Sequence, residues 1–335
     1  MTSHGSDVVR AAGTMEADAS VLADVLPTET LAANGRPLGT LREELYRIPD
    51  AENVGHVFGV WVQSLGVILL AAWVSDRVAW PWQVAAWLVA FMLMGRSMVR
   101  FAILGHEAAH RLLFSNRKVN DWVGGWLCAY PAFVPLEAYR RGHMAHHKEE
   151  FGPTEPDLAL YNGYPLTKDS WHRKLRRDAD GNTGWKNLKL LLNALMSPTA
   201  RGIALRIVGW QVVLFAGLWA LTGRWWVYPL MWFVPWMTEW RVLNRLRAVA
   251  EHGGLRASKD RRVTTHHVEQ SWLARFWMVP YNTGWHLAHH VDIGVPFKHL
   301  PRLHQELVDA GYVQPAFSWP TYRSLWRHAS SRPPS

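Results

Sequence analysis

VFGVWVQSLGVILLAAWV, residues 57–74, decides what kind of protein this is. Its 18 residues carry no charge, and as a helix rising 1.5 Å per residue they reach about 27 Å, just matching the hydrocarbon core of a bilayer. After the link SDRVAWP comes a second apolar stretch, Trp82 to Gly95, short by itself but able to continue as a helix through Arg96 and Arg100. The two read as a hairpin. A second hairpin is expected from Ile203–Leu221 and Trp225 to about Val242, joined by the tight turn TGR at 222–224. Trp219, Trp225, Trp226, Tyr228, Trp236 and Trp240 gather at its ends, as an interfacial aromatic belt does. The expected fold class is all-α and integral to the membrane, with four transmembrane helices in two hairpins.

Charge sets the orientation. The two hairpin turns hold one arginine each, Arg77 and Arg224, whereas Arg96, Arg100, Arg111, Arg117, Lys118, Arg140, Arg141 and the run from Lys168 to Lys189 fall on the other side. Positive residues stay inside, so that side is expected to be cytoplasmic and to carry a helical cap. Trp122–Leu136 and Leu188–Met196 are too short or too broken by proline to span, and are expected in the interface or the cap. Residues 1–53 are polar and read as a mobile tail, with a short amphipathic helix over Leu38–Ile48. Residues 54–305 form the membrane domain, and 306–335 a C-terminal tail. The net charge of +9 brings no nucleic-acid motif with it; a basic membrane-facing surface or an acidic redox partner accounts for it. Cys128 is the only cysteine, which excludes an internal disulfide and thiolate metal sites and leaves a small buried apolar residue.

On the cytoplasmic side lies the chemistry. GHMAHH at 142–147 places imidazoles at His143, His146 and His147, and the i, i+3, i+4 spacing predicts that all three converge on one point from one helix face. The spacing returns in HLAHH, with His286, His289 and His290, and a two-histidine relative, HEAAH, supplies His106 and His110. Two such triplets and an HxxxH are far from accidental, and eight imidazoles ask for more than one metal ion. His266 and His267 are adjacent, point apart and are expected at the surface; His172, His299, His304 and His328 show no cluster spacing. Imidazole suits zinc, copper, iron and nickel. A zinc site needs three or four protein ligands, so eight or nine fit two ions of higher coordination number better, with paired iron for dioxygen activation the favoured reading.

HEAAH also satisfies the HExxH pattern of zinc peptidases, in which Glu107 would be the general base. That reading leaves two matched triplets without a role.

GHEAAH at 105–110, RRGHMAHH at 140–147 and HLAHH at 286–290 resemble the integral-membrane fatty acid desaturases and their hydroxylase relatives, and the order of hydrophobic hairpins agrees. RAVAEH at 247–252 looks like the extra histidine motif that precedes the third block in that family. The resemblance implies a di-iron centre held by His106, His110, His143, His146, His147, His286, His289 and His290, with His252 as a ninth ligand. Some members place an asparagine one turn before the extra histidine, where this chain has Ala248. Glu107 and Glu251 are expected to orient ligand imidazoles through their ring N–H groups, Asp157 to do the same, and Asn282 either to orient a ligand from the same helix face or to serve the turn YNTG.

The reaction implied is oxygen-dependent removal of hydrogen from an unactivated C–H bond of a lipid chain, with a fatty acyl desaturase first and a lipid hydroxylase or a carotenoid or sphingolipid oxygenase as the alternative. No flavin, nicotinamide or haem motif is visible, so electrons are expected from an external ferredoxin or cytochrome-type donor.

Overall fold

The computed structural model describes residues 9–333 apart from 12 and 154. Every regular element among the described residues is helical, beside isolated bridges such as Val268 with Trp319. The chain forms two compact units, one of Pro49–Tyr139 and Lys174–Asn244, the other of Arg140–Arg173, Arg245 onward and the residues up to Ile48.

The first of these, the apolar unit, is built on the helices Asp50–Ser75, of 26 residues, and Trp80–Ala109, of 30. Pro81 lies in the first turn of the second helix, where its missing N–H costs nothing. As expected, this helix runs on past Gly95 through Arg96 and Arg100 to the first histidine block. Arg100 reaches back to the Asp50–Ser75 helix, donating to Gln63 Oε1 at 2.6 Å, and Arg96 donates to the same oxygen. A third apolar helix, Arg201–Thr222, ends at Gly223, whose φ of +68° closes the turn. These three are long and apolar enough to cross a membrane.

The fourth expected span differs. Pro229–Phe233 is a wide π-type turn, Val234–Met237 a single turn of α-helix, and Thr238 breaks the path before Glu239–His252 begins. Pro229 and Pro235 lack the N–H donors that a continuous helix needs, which is why an apolar run of adequate length is divided. Of Trp122–Leu136, Gly124, Gly125 and residues 128–132 are buried in the same unit while Trp122 is exposed. A Cβ on Gly124 would stand 2.2 Å from that of Ala108, so only glycine admits this approach to the Trp80–Ala109 helix. The interior is aromatic. Trp61 stacks on Trp232 at 5.9 Å and meets the Phe101 ring edge at 5.2 Å, while both indole N–H groups are satisfied by the carbonyls of Leu127 and Pro131. Cys128 is free and buried there, as expected.

The second unit holds the histidine triplets of the second and third blocks. The described part of the expected N-terminal tail as far as Ile48 packs into it, with Met15, Leu31 and Leu45 fully buried and a short helix at Gly39–Leu45. The C-terminal stretch likewise forms helices, Leu300–Asp309 and Tyr322–Ala329, the latter opened by a Thr321–Ser324 capping box and anchored by Leu325. In both C-terminal helices the buried residues recur at i, i+3 and i+7, Leu300, Leu303 and Leu307 in one and Tyr322, Leu325 and Ala329 in the other.

Candidate metal centre

His143, His146 and His147 lie on the Leu136–Lys148 helix, His252 ends the Glu239–His252 helix, and His286, His289 and His290 occupy the short helix His286–Val291. All are buried. Within each triplet only the outer members meet: the Nε2 atoms of His143 and His147 are 3.0 Å apart, as are those of His286 and His290. The middle members change sides. His289 Nε2 lies 3.2 Å from His147 Nε2, and His146 offers a ring nitrogen within 4.8 Å of those of His252 and His290. His252 Nε2 in turn is 3.0 Å from His286 Nε2.

The expected convergence of each triplet on one point is therefore corrected. At about 100° per residue, position i+4 falls about 40° past i, whereas i+3 falls about 60° short of it. The i+3 and i+4 rings diverge by a right angle or so, and each triplet serves two sets. One set in this unit is His143, His147 and His289; the other is His146, His252, His286 and His290.

The second set is backed at every ring. Nδ1 of His146 lies 2.8 Å from Glu155, that of His290 2.6 Å from Glu150, that of His286 3.4 Å from Glu251, and that of His252 2.8 Å from the Thr264 carbonyl. A carbonyl only accepts, so His252 carries its proton on Nδ1, and carboxylates ask the same of their partners. Each Nε2 is left with a lone pair. Burial, then the neighbouring rings, hold His252, His286 and His290 well below the usual histidine pKa, which keeps them neutral. For His146 burial pulls the same way, but Glu155 outweighs it and the pKa is raised.

Lone pairs 3.0 Å apart repel unless a cation lies between them. Ligand nitrogens about 2.1 Å from an ion stand about 3.0 Å apart when they subtend a right angle, and about 3.4 Å in a tetrahedron. The observed separations fit neighbouring ligands of an ion with more than four coordination positions. The donor set therefore suits a metal of octahedral type.

His106 and His110 stand on the last turn of the Trp80–Ala109 helix in the apolar unit, rings 4.7 Å apart, with Glu107 buried between them in sequence. Glu251 is held by Arg247 at 2.6 Å and lies 3.4 Å from His286 Nδ1. Asp157 is corrected: its backbone N–H donates to Glu155 Oε1 at 3.1 Å, and Glu155 is the acid on the ring. Asn282 lies outside the helix, which begins at His286, and has a φ of +63°; the turn role is the one it fills. Ala248 is buried, and its methyl side chain offers no ligand atom. His266 and His267 are buried, not exposed. His266 accepts from the Trp319 indole at 3.2 Å and donates to the Gly253 carbonyl, and His267 stacks on His304 at 4.6 Å. Glu150 and Glu155 escape a reading by histidine spacing. Their signal is KEEFGPTEPD at 148–157, a cluster of acids directly behind a histidine block.

The family model for fatty acid desaturases matches residues 79–326. Dihydrorhizobitoxine desaturase of Bradyrhizobium elkanii is 28% identical over 257 residues, 70% of this chain and 72% of that protein. The sn-1 oleoyl-lipid 12-desaturase of Arthrospira platensis is 22% identical over 91% of this chain and 89% of its own length. The chloroplastic omega-6 fatty acid desaturase of Brassica napus is 22% identical over 87% of this chain and 66% of its length. With its histidine blocks inside the matched region, the chain belongs to the fatty acid desaturase family and is an oxidoreductase.

Proposed function

We propose that the protein is a multi-pass membrane enzyme that uses dioxygen and two irons to place a double bond in a fatty acyl chain. The observation that supports it best is the exchange of the middle histidines, which divides one buried cluster into two ligand sets of open geometry. His143, His147 and His289 serve one iron and His146, His252, His286 and His290 the other, with Glu150, Glu155, Glu251 and the Thr264 carbonyl fixing the ring tautomers of the second; His106 and His110 are the remaining two of the nine ligands. The irons supply dioxygen activation. The chain's own part is to aim nine imidazoles, with His252, His286 and His290 kept neutral by burial, and to exclude water from the reacting carbon. Removing two hydrogens from adjacent carbons while dioxygen is reduced to two waters leaves two electrons and two protons to be supplied. An external ferredoxin or cytochrome-type donor on the basic cytoplasmic face supplies the electrons. The fourth apolar stretch, though divided, completes the second hairpin, and the metal centre lies on the cytoplasmic side.

An acyl-lipid substrate agrees with the oleoyl-lipid and omega-6 relatives. A second reading follows from the relative named for dihydrorhizobitoxine, in which the same centre desaturates a compound of that kind. Lipid analysis of an expressing host decides between them. A new double bond in acyl chains, absent with His146→Ala, is expected; unchanged lipids beside turnover of dihydrorhizobitoxine favour the second. About two irons per purified chain are expected, and a single zinc held by His106 and His110 would overturn both.

A further inference from the structure

Glu150 stands out from the other acids of the centre. Its side chain is 1% exposed and its Oε1 receives two partners, His290 Nδ1 at 2.6 Å and the Arg261 guanidinium. A carboxylate oxygen of Glu150, a ring nitrogen of His290 and one of His147 all lie within 4.8 Å of one another. Those histidines belong to different sets: His147 meets His143 and His289, whereas His290 meets His286 and His146. Glu155 and Glu251 are close to one set only, at His146 and His286. Arg261 is in turn fixed by the His147 carbonyl, 3.4 Å from its Nη2.

We propose that Glu150, clamped by Arg261, is a positioning residue shared by both ligand sets, so that one buried carboxylate couples the two metal sites. It rests on the di-iron reading. The acid accepts a hydrogen bond from His290 Nδ1 on one side and presents negative charge to His147 on the other. One displaced side chain therefore loosens a ligand of each ion. Glu155, by contrast, steadies a single ion.

The test uses the full-length protein in detergent, loaded with iron, then challenged with increasing chelator while iron per chain and Mössbauer spectra are recorded. Wild type is expected to hold two irons. Glu150→Gln is expected to release both together at tenfold to hundredfold lower chelator, the usual effect of losing an outer carboxylate. Glu155→Gln is expected to release one and leave the other's spectrum unchanged. Glu150→Asp, which keeps the charge, is expected to restore part of the affinity, and Arg261→Met to reproduce the joint loss more weakly. Helix content and thermal unfolding of the metal-free proteins separate this from misfolding. Glu150→Gln that releases one iron only, or two at the wild-type chelator concentration, overturns the proposal while leaving the di-iron reading intact. Equal joint loss in the Glu155 and Glu150 variants also overturns it. Wild type without two irons overturns the reading beneath it.

Discussion

The two units fill their interiors in opposite ways. The apolar unit turns aromatic rings inward on one another and leaves Phe58, Leu70, Val213 and Trp225 more than half exposed, a surface suited to hydrocarbon rather than water. In the histidine unit, among the described residues, only Trp272 and Leu273 are comparably exposed large apolar residues, while imidazoles and carboxylates are buried. Burying aromatic area is favourable by itself and tolerates small errors of position. Burying polar rings is unfavourable until every hydrogen bond is made, so this unit depends on individual atoms. The difference predicts that stability and metal binding respond to different substitutions.

The largest effects should come from the ligands. His143→Ala and His146→Ala sit one turn apart yet serve different sets, so each is expected to cut turnover at least about a hundredfold and to spare a different iron, read by metal content and Mössbauer spectra. Identical spectra would mean that the middle histidine does not change sides. Trp232→Ala should act the other way, lowering stability by roughly 3–5 kcal/mol in thermal unfolding while iron per folded chain stays at the wild-type value. Loss of iron there would end the separation of roles. Glu155→Gln should weaken metal binding about tenfold to a hundredfold in chelator competition with little change in unfolding of the metal-free protein.

The smallest effect is one of pH. Burial lowers the His266 pKa to about 3, below its ordinary value, so the unfolded chain takes up the proton first. The resulting stability is full above about pH 6.5 and declines as pH falls toward 3, by on the order of 1–2 kcal/mol at pH 5. His266→Gln, which can still accept from Trp319 and donate to Gly253, should show a smaller fall in melting temperature between pH 7 and 5. An equal fall would assign the acid sensitivity elsewhere.

Spacing alone made the histidine blocks and three apolar helices legible. HxxHH names ligands through helix periodicity, and an uncharged run of 18 residues names a helix through length. Neither rule reaches the assignment of ligands to sets, because which ring faces which depends on how three helices pack. The orienting acids were half legible: Glu251 adjoins a histidine in sequence, whereas Glu155 was passed over for Asp157, whose backbone merely braces it. The fourth apolar stretch was legible in length but not in its path, which is divided near Pro229 and Pro235.

His147 and His289, in contact through their Nε2 atoms, are 142 residues apart in the chain. An ion gripped by both acts as a stitch across that distance, and the middle histidine of the first triplet adds a second stitch through His290. A link of this span restricts an unfolded chain by roughly 5 kcal/mol in the chain-entropy picture. Iron would then govern not only turnover but the lifetime of the polypeptide. Cells starved of the metal should hold less of the protein, because unstitched chains open more often and meet proteases sooner.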